Sequence, residues 1–293
     1  MNFPQSIRIF HYRPAAWLRI AGPDAETFLQ GQFSNDILLS KRDGGVYGLW
    51  LDHKGKVLAD GFLVADSGGG FRVGSYFSGA DGIRRRLEEH IIADDVTVED
   101  FTGEHVGVAL VGEGSGAWLA SEKRAGWTFR GRRASVENWE WVHPASEAAE
   151  AAARLSGFRE GSAEELERIR IASGIPAVPA DIGPRDLPQE GGLEAAAVSY
   201  SKGCYIGQEV MARLKSRGRA RRLLVRVGGR GPVPILPAEL WRDGRKAGEL
   251  RSAIAASAPD AFAGMAMLSV ASLQDGPPFS IPSAPSTEVG VSA

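Results

Sequence analysis

The sequence predicts an α+β protein that ends in a small β-barrel, and three observations carry that prediction. A strand, tight turn and helix occur together twice, 90 positions apart. Around neither copy do strands alternate with crossover helices as a parallel sheet requires. The stretch from Leu223 to Val270 breaks into short strands separated by Gly and Pro, the pattern of a small closed barrel.

The first copy runs from the apolar Leu18–Ala21 through Gly22-Pro23-Asp24-Ala25 into a helix carrying Phe28 and Leu29. In the second, Val108–Val111 is the strand, Gly112 the turn, and Ala117, Trp118 and Leu119 lie on the helix. Between the copies, Tyr47–Leu51 and Lys56–Ala65 flank the polar turn Asp52-His53-Lys54-Gly55 and predict a β-hairpin. Phe71–Phe77 follows as a strand. Ile83, Leu87 and Ile91 mark one face of a helix, whose Arg84–Arg86 run is expected to face solvent, and Val96–Phe101 closes the segment. Strands at Trp127–Arg130 and Trp139–Val142 precede an Ala-rich helix and a further helix opened by Ser162, with Glu165 at capping-box spacing. An irregular stretch, Gly174–Leu193, leads into Ser201-Lys-Gly-Cys-Tyr-Ile-Gly-Gln-Glu209, the densest motif of the chain. Short strands at Leu223–Val227, Glu239–Trp241, Ala247–Leu250 and Ala263–Val270 make up the barrel, and the Ser- and Pro-rich residues 274–293 are expected to be a disordered tail.

Composition narrows the function. The 34 Lys and Arg against 36 Asp and Glu give a net charge of −2, so no global field recruits nucleic acid or anionic lipid. No apolar run reaches the roughly 18–20 residues of a membrane span, and Met1–Arg13 lacks the apolar core of a secretory signal, which predicts a cytoplasmic protein. Cys204 is the only cysteine, which forbids an internal disulfide or a four-cysteine cluster made by this chain alone. The five histidines are scattered, and no metal site is expected.

Several segments are candidates for chemistry. Cys204 follows Lys202 and stands ahead of a helix beginning near Gln208 and Glu209; a lysine and a helix N-terminus both favour a thiolate, against the alternative of a small buried hydrophobe. Arg213, Lys215, Arg217, Arg219, Arg221 and Arg222 crowd into ten residues and could pair with phosphates or with carboxylates of a folate-type ligand, or form a solvated loop. No aromatic residue is interleaved in the run, which argues against RNA. Gly112-Glu113-Gly114-Ser115-Gly116-Ala117 fits a dinucleotide-binding turn, but the matching turn of the first copy carries Asp24, which would repel phosphate. Asp60 sits in an apolar strand, outward-facing or buried for a purpose, and Glu190 in Leu187-Pro-Gln-Glu190 is expected to be exposed.

Taken together, Lys202-Gly203-Cys204-Tyr205-x-Gly207-Gln208-Glu209 resembles the signature of YgfZ-type folate-binding proteins, relatives of the glycine-cleavage T-protein. Gly22–Ala25 leading to Phe28–Gln32 with Asn35-Asp36, then Asp52–Lys56, Gly174–Pro176 and Leu187–Glu190 extend the resemblance over most of Leu18–Val227. It implies a three-domain ring of the glycine-cleavage T-protein type: residues 1–40 with 105–218 as a discontinuous folate-binding domain, 41–104 as an inserted α+β domain, and 219–273 as the barrel.

The resemblance also implies tetrahydrofolate or another reduced folate as the ligand, held by Asp60, Glu190, Arg221, Gln208 and Tyr205, with Cys204, Lys202 and Asp60 as reacting groups. The implied function is support of iron–sulfur cluster assembly or maintenance through Cys204, with iron–sulfur proteins or assembly factors as partners and effects on tRNA-modifying iron–sulfur enzymes. Direct nucleic-acid binding is not implied. The alternative is a folate-dependent aminomethyl or one-carbon transferase. Two departures weaken that alternative: the T-protein has no Lys-Gly-Cys here, and no docking surface for a lipoyl-carrying partner is readable.

Overall fold

The computed structural model describes residues 6–218 and 220–292; Arg219 of the cation run lies outside them. Strand β1 (Arg8–Tyr12) is followed by β2 (Ala16–Ala21), helix α1 (Ala25–Gln32) and the short α2 (Leu39–Asp43). The predicted hairpin forms as β3 (Val46–Leu51) and β4 (Val57–Ala65), and β5 (Phe71–Ser75), α3 (Ala80–Glu88) and β6 (Thr97–Asp100) complete the segment. These strands make a sheet of order β3-β4-β5-β2-β6. Next come β7 (His105–Val111), α4 (Ser115–Ser121), β8 (Trp127–Arg130), β9 (Asn138–Pro144), α5 (Ala148–Leu155) and β10 (Arg159–Glu160). With β1 they make a second sheet, ordered β10-β1-β7-β9-β8.

The two strand–turn–helix copies therefore stand in different sheets, and this corrects the expected grouping of residues 1–40 with 105–218. β2 pairs with β5 and β6, because Leu18 and Ile20 pack into the same core as Phe71 and Val73; only β1 crosses to the second sheet. The turns themselves are alike. Gly22 (φ 124°) and Gly112 (φ 137°) each lie against a neighbouring backbone carbonyl, so a Cβ would come within 2.1 Å of Asp95 O and 2.3 Å of Ser6 O respectively. No side chain fits either turn.

Helix α6 (Ala163–Ala172) starts at Ser162, whose hydroxyl accepts the Glu165 amide at 3.1 Å. After the irregular stretch come α7 (Glu194–Ala197) and α8 (Gln208–Arg217). The closed barrel follows, with strands β11 (Arg222–Arg230), β12 (Ala238–Arg242), β13 (Arg245–Ala255), β14 (Ala261–Ser269), β15 (Phe279–Ile281) and β16 (Ala284–Val291), and with α9 (Val270–Asp275) before β15. The expected disordered tail at 274–293 is thus a correction: β15 and β16 close the barrel by pairing β16 with β11, and bury Phe279, Ile281 and Val289. Closure leaves no unpaired edge. Arg86 is a second correction. It is buried rather than solvated, donating through Nη2 to the Leu51 carbonyl at 2.8 Å and through Nη1 to Gln32 Oε1 at 3.0 Å.

All three parts share one apolar cluster, in which Leu49 and Val57 of the first sheet meet Val142 of the second, Val178 and Met211 of the connecting stretch and α8, and Met267 of the barrel. None of the described helices is long and apolar enough to cross a membrane.

Candidate functional site

Segments far apart in sequence meet at the start of α8. The Ile206 amide donates to the Gly31 carbonyl at 3.2 Å and the Ser199 amide to that of Ser34 at 2.9 Å, which hangs the 199–206 loop on the end of α1. Gly207 (φ 88°) has the Asp52 carbonyl 2.9 Å from where a Cβ would stand, and a Cβ on Gly55 would lie 2.7 Å from the Met211 methyl. Gly207 therefore packs against the hairpin backbone, and Gly55 against the Val210 and Met211 side chains of α8. The α1 end, the Asp52–Lys56 turn and the Lys202–Glu209 motif form one structure.

Within it, Cys204 is exposed on the loop ahead of Gly207, the N-cap of α8. Lys202, expected to be the thiol's cation, directs its ammonium to the scaffold. Its ammonium donates to the carbonyls of Gln30 (2.6 Å), Phe33 (2.6 Å) and Asn35 (3.0 Å), so all three of its protons are engaged at the C-terminal end of α1. Burial lowers its pKa to about 8, with Asp36 pulling the other way. Tyr205 is buried against the shared core with no partner for its hydroxyl among the described residues, and burial raises its pKa to about 12. Gln208 is the first residue of α8 and half-buried.

Beside this loop, a cleft of about 570 Å³ opens between the 187–194 stretch, α8 and the start of the barrel. That is the size of a small-molecule site. One wall is acidic, with Glu190 and Glu194, and the mouth is basic, with Lys56, Lys215 and Arg221. Glu190, expected to be exposed, is buried: Arg222 grips it bidentately, Nε and Nη2 each at 3.0 Å, and the Leu187 amide donates to Oε2 at 2.8 Å. Arg222 also reaches Asp186 at 3.1 Å, while Arg221 stays exposed at the mouth. Gln189 Oε1 is a buried acceptor with no partner among the described residues, on the wall of the same cleft.

Tyr200 connects cleft and loop. Its hydroxyl donates to Glu194 and the Lys215 ammonium sits 3.9 Å from its ring centre; burial and the Glu194 carboxylate push its pKa up. Cys204 follows four residues later. Glu194, Gln189 and Tyr200 carried no spacing signal in the sequence, and Arg222 was visible only as one cation of a run.

Asp60 lies apart from the cleft lining. It is buried on β4, with the Tyr47 hydroxyl on Oδ2 at 3.0 Å and those of Ser75 and Ser78 on Oδ1, both at 2.8 Å. Burial raises its pKa, and the three hydroxyls oppose that. The Gly112–Ala117 turn is filled by the protein itself, since Glu137 accepts the Gly114 amide at 2.7 Å and that of Gly116 at 3.1 Å. Two of the amides a pyrophosphate would use there are thus already engaged.

Fold and sequence comparisons agree on the class. The crystal structure of the glycine cleavage system aminomethyltransferase T from Bartonella henselae superposes with a TM-score of 0.79 at 20% identity, covering 98% of this chain and 85% of that one. The fold is therefore the three-part T-protein fold with its terminal barrel. Residues 3–127 match the GCVT N-terminal domain family. The chain is 29% identical over 236 residues to the mouse iron-sulfur cluster assembly factor IBA57, mitochondrial, covering 75% of this chain and 65% of that protein. It is 29% identical over 218 residues to the tRNA-modifying protein YgfZ of Vibrio vulnificus (strain YJ016), covering 72% and 67%. It thus spans about two thirds of the length of these relatives. The chain thus has the fold of the glycine-cleavage T-protein and is similar in sequence to YgfZ-type proteins.

Proposed function

We propose that this protein binds a reduced folate, tetrahydrofolate or a close derivative, in the cleft at Glu190, and supports iron–sulfur cluster assembly or maintenance through Cys204. The observation that carries the reading is the polarity of the cleft, with the unpartnered buried Gln189 Oε1 and the Glu194 carboxylate on its wall beside the Arg222-held Glu190, and Arg221, Lys215 and Lys56 at its mouth. A pterin presents amino and ring N–H donors, and a glutamyl tail presents carboxylates, so the donor and acceptor sets match a folate lying from wall to mouth. Bound there, the folate would supply carrier nitrogens for a one-carbon unit. Tyr205 and Gln208 shape the loop beside it, Lys202 positions that loop, and Asp60, its oxygens taken by three hydroxyls, positions the β4–β5 scaffold. The exposed Cys204 thiol can act as nucleophile or transient ligand to a cluster held by a partner protein.

The similarity to an iron–sulfur cluster assembly factor and to a tRNA-modifying protein supports this direction. Calorimetry with tetrahydrofolate tests the folate reading: wild type should bind saturably, and Arg221→Ala should weaken binding about tenfold, the loss of one charge-assisted pair. No heat with wild type defeats the reading. Undiminished activity of cluster-dependent enzymes in cells relying on Cys204→Ala removes the thiol from the function. Aminomethyl transfer is the rival. It requires methylenetetrahydrofolate and ammonia to form from purified protein, tetrahydrofolate and an S-aminomethyl donor, which leaves as the thiol, without any cluster protein.

A further inference from the structure

A second cavity, of about 190 Å³, lies between the end of β1, the Tyr76–Phe77 turn after β5, and helix α6. It shares no lining residue with the Glu190 cleft. At its base is Arg133, 5% exposed and clamped between two aromatic rings, with its guanidinium carbon 4.3 Å from the centre of Tyr12 and 3.5 Å from that of Tyr76. The inner edge of the guanidinium is satisfied, since Nε donates to Glu140 at 3.3 Å and Glu140 is itself held by the Tyr76 hydroxyl at 2.7 Å. Nη2 is different. It is buried and has no acceptor among the described residues. Glu140 Oε2 of the same ion pair is likewise buried without a partner, so Arg133 is offered to a ligand as a member of the cavity lining rather than through Nη2.

The rest of the lining defines the acceptor. Glu167 is the only acid on the wall, and both its oxygens are taken by Arg170, at 2.8 and 2.6 Å. Arg170 is fully engaged as well, reaching Asp181 at 2.7 Å. Arg13, exposed at the rim, adds a further cation. Phe77, 39% exposed, and the buried Leu166 supply apolar surface opposite. The space is smaller than the roughly 300 Å³ at which drug-sized sites begin, so it suits a fragment of a few heavy atoms.

We propose that this cavity is a binding site for a small monocarboxylate, whose oxygens meet Arg133 and Arg13 and whose apolar end rests on Phe77 and Leu166. Guanidinium and carboxylate are matched in geometry, and the aromatic clamp fixes Arg133 in advance, so little ordering remains to be done on binding. A phosphate would leave the apolar wall unused.

Titration of the full chain with propionate and with benzoate, by calorimetry or ligand-observed NMR, tests this, with propionamide as the neutral isostere. Wild type should bind one of the acids saturably, one per chain, and propionamide at least about tenfold more weakly. Arg133→Lys keeps the charge but loses the fork and should weaken binding by a similar factor. Because that change touches a buried ion pair, Ala163→Phe is the second variant; Ala163 is an exposed lining residue whose enlargement fills the cavity and leaves Arg133 and Glu140 alone. It should abolish binding with thermal stability retained. No saturable binding of either acid up to roughly 10 mM, equal binding of propionamide, or unchanged binding in Ala163→Phe would each overturn the proposal.

Discussion

The two strand–turn–helix copies differ most at the far ends of their helices. In the second copy, the C-terminal carbonyls of α4 are served locally, by Arg124, which donates to Leu119 and, at 2.7 Å, to Glu122. In the first copy, the corresponding end of α1 is served from about 170 residues away by Lys202, which donates to Gln30, Phe33 and Asn35. Every helix leaves such carbonyls without intrahelical partners, and any cation within reach can satisfy them. Where the cation is local, the helix end is merely finished. Where it comes from the motif loop, the same requirement fastens Cys204 to the scaffold, so a duplicated element has become a mount in one copy only.

The largest effects should fall on what the copies have in common. Gly22→Ala and Gly112→Ala both force a Cβ into a carbonyl oxygen at positive φ, and each should cost about 3–4 kcal/mol in chemical denaturation. Near-equal losses are expected. A change tolerated in one copy and severe in the other would show that the turns are not equivalent.

Substitution of the two cations should then separate the copies. Lys202→Met strands three carbonyls and should cost about 2–3 kcal/mol, whereas Arg124→Met strands two and should cost about 1–2 kcal/mol. Only Lys202→Met should speed hydrogen exchange at the Ile206 amide, which is bonded to Gly31, and alkylation of Cys204. Equal exchange in both variants would mean that the motif loop is held by something other than the ammonium.

How much of this was legible depended on whether the cause was local. The turn glycines, the hairpin and the Ser162 cap could be read because each is set by a few adjacent residues. The tail could not: β15 has three residues, and β16, beyond its pairing with β15, is fixed in the barrel by β11, some sixty positions earlier, so composition spoke for disorder while long-range pairing decided otherwise. Grouping the two copies in one domain failed for the same reason, since strand partners are not encoded beside the strand. At the cleft, Arg221 and Arg222 were indistinguishable as charges, yet at the start of a strand neighbouring side chains point to opposite sides; one meets Glu190 and the other solvent. Asp60 was left open between two faces, and only the hydroxyls of Tyr47, Ser75 and Ser78, brought from other strands and turns, settle it as buried.

The smallest effects concern two acids, one in each sheet, whose titrations should run in opposite directions. The amides of Gly114 and Gly116 lower the Glu137 pKa, whereas burial raises that of Asp60. A lowered acid contributes stability that is present above its unfolded value, about 4.3, and is lost as pH falls through the folded one. Glu137→Gln should therefore cost about 1 kcal/mol at neutral pH and converge on wild type on acidification. A raised acid behaves in reverse, its favourable contribution being complete below about 3.9 and lost as pH rises through the folded value. Asp60→Asn should accordingly fare worst against wild type near pH 3 and improve as pH rises. Thermal melts of the two variants between pH 3 and 7 should give difference curves of opposite slope. Parallel slopes would mean that the hydroxyls of Tyr47, Ser75 and Ser78 outweigh burial and hold Asp60 as a carboxylate.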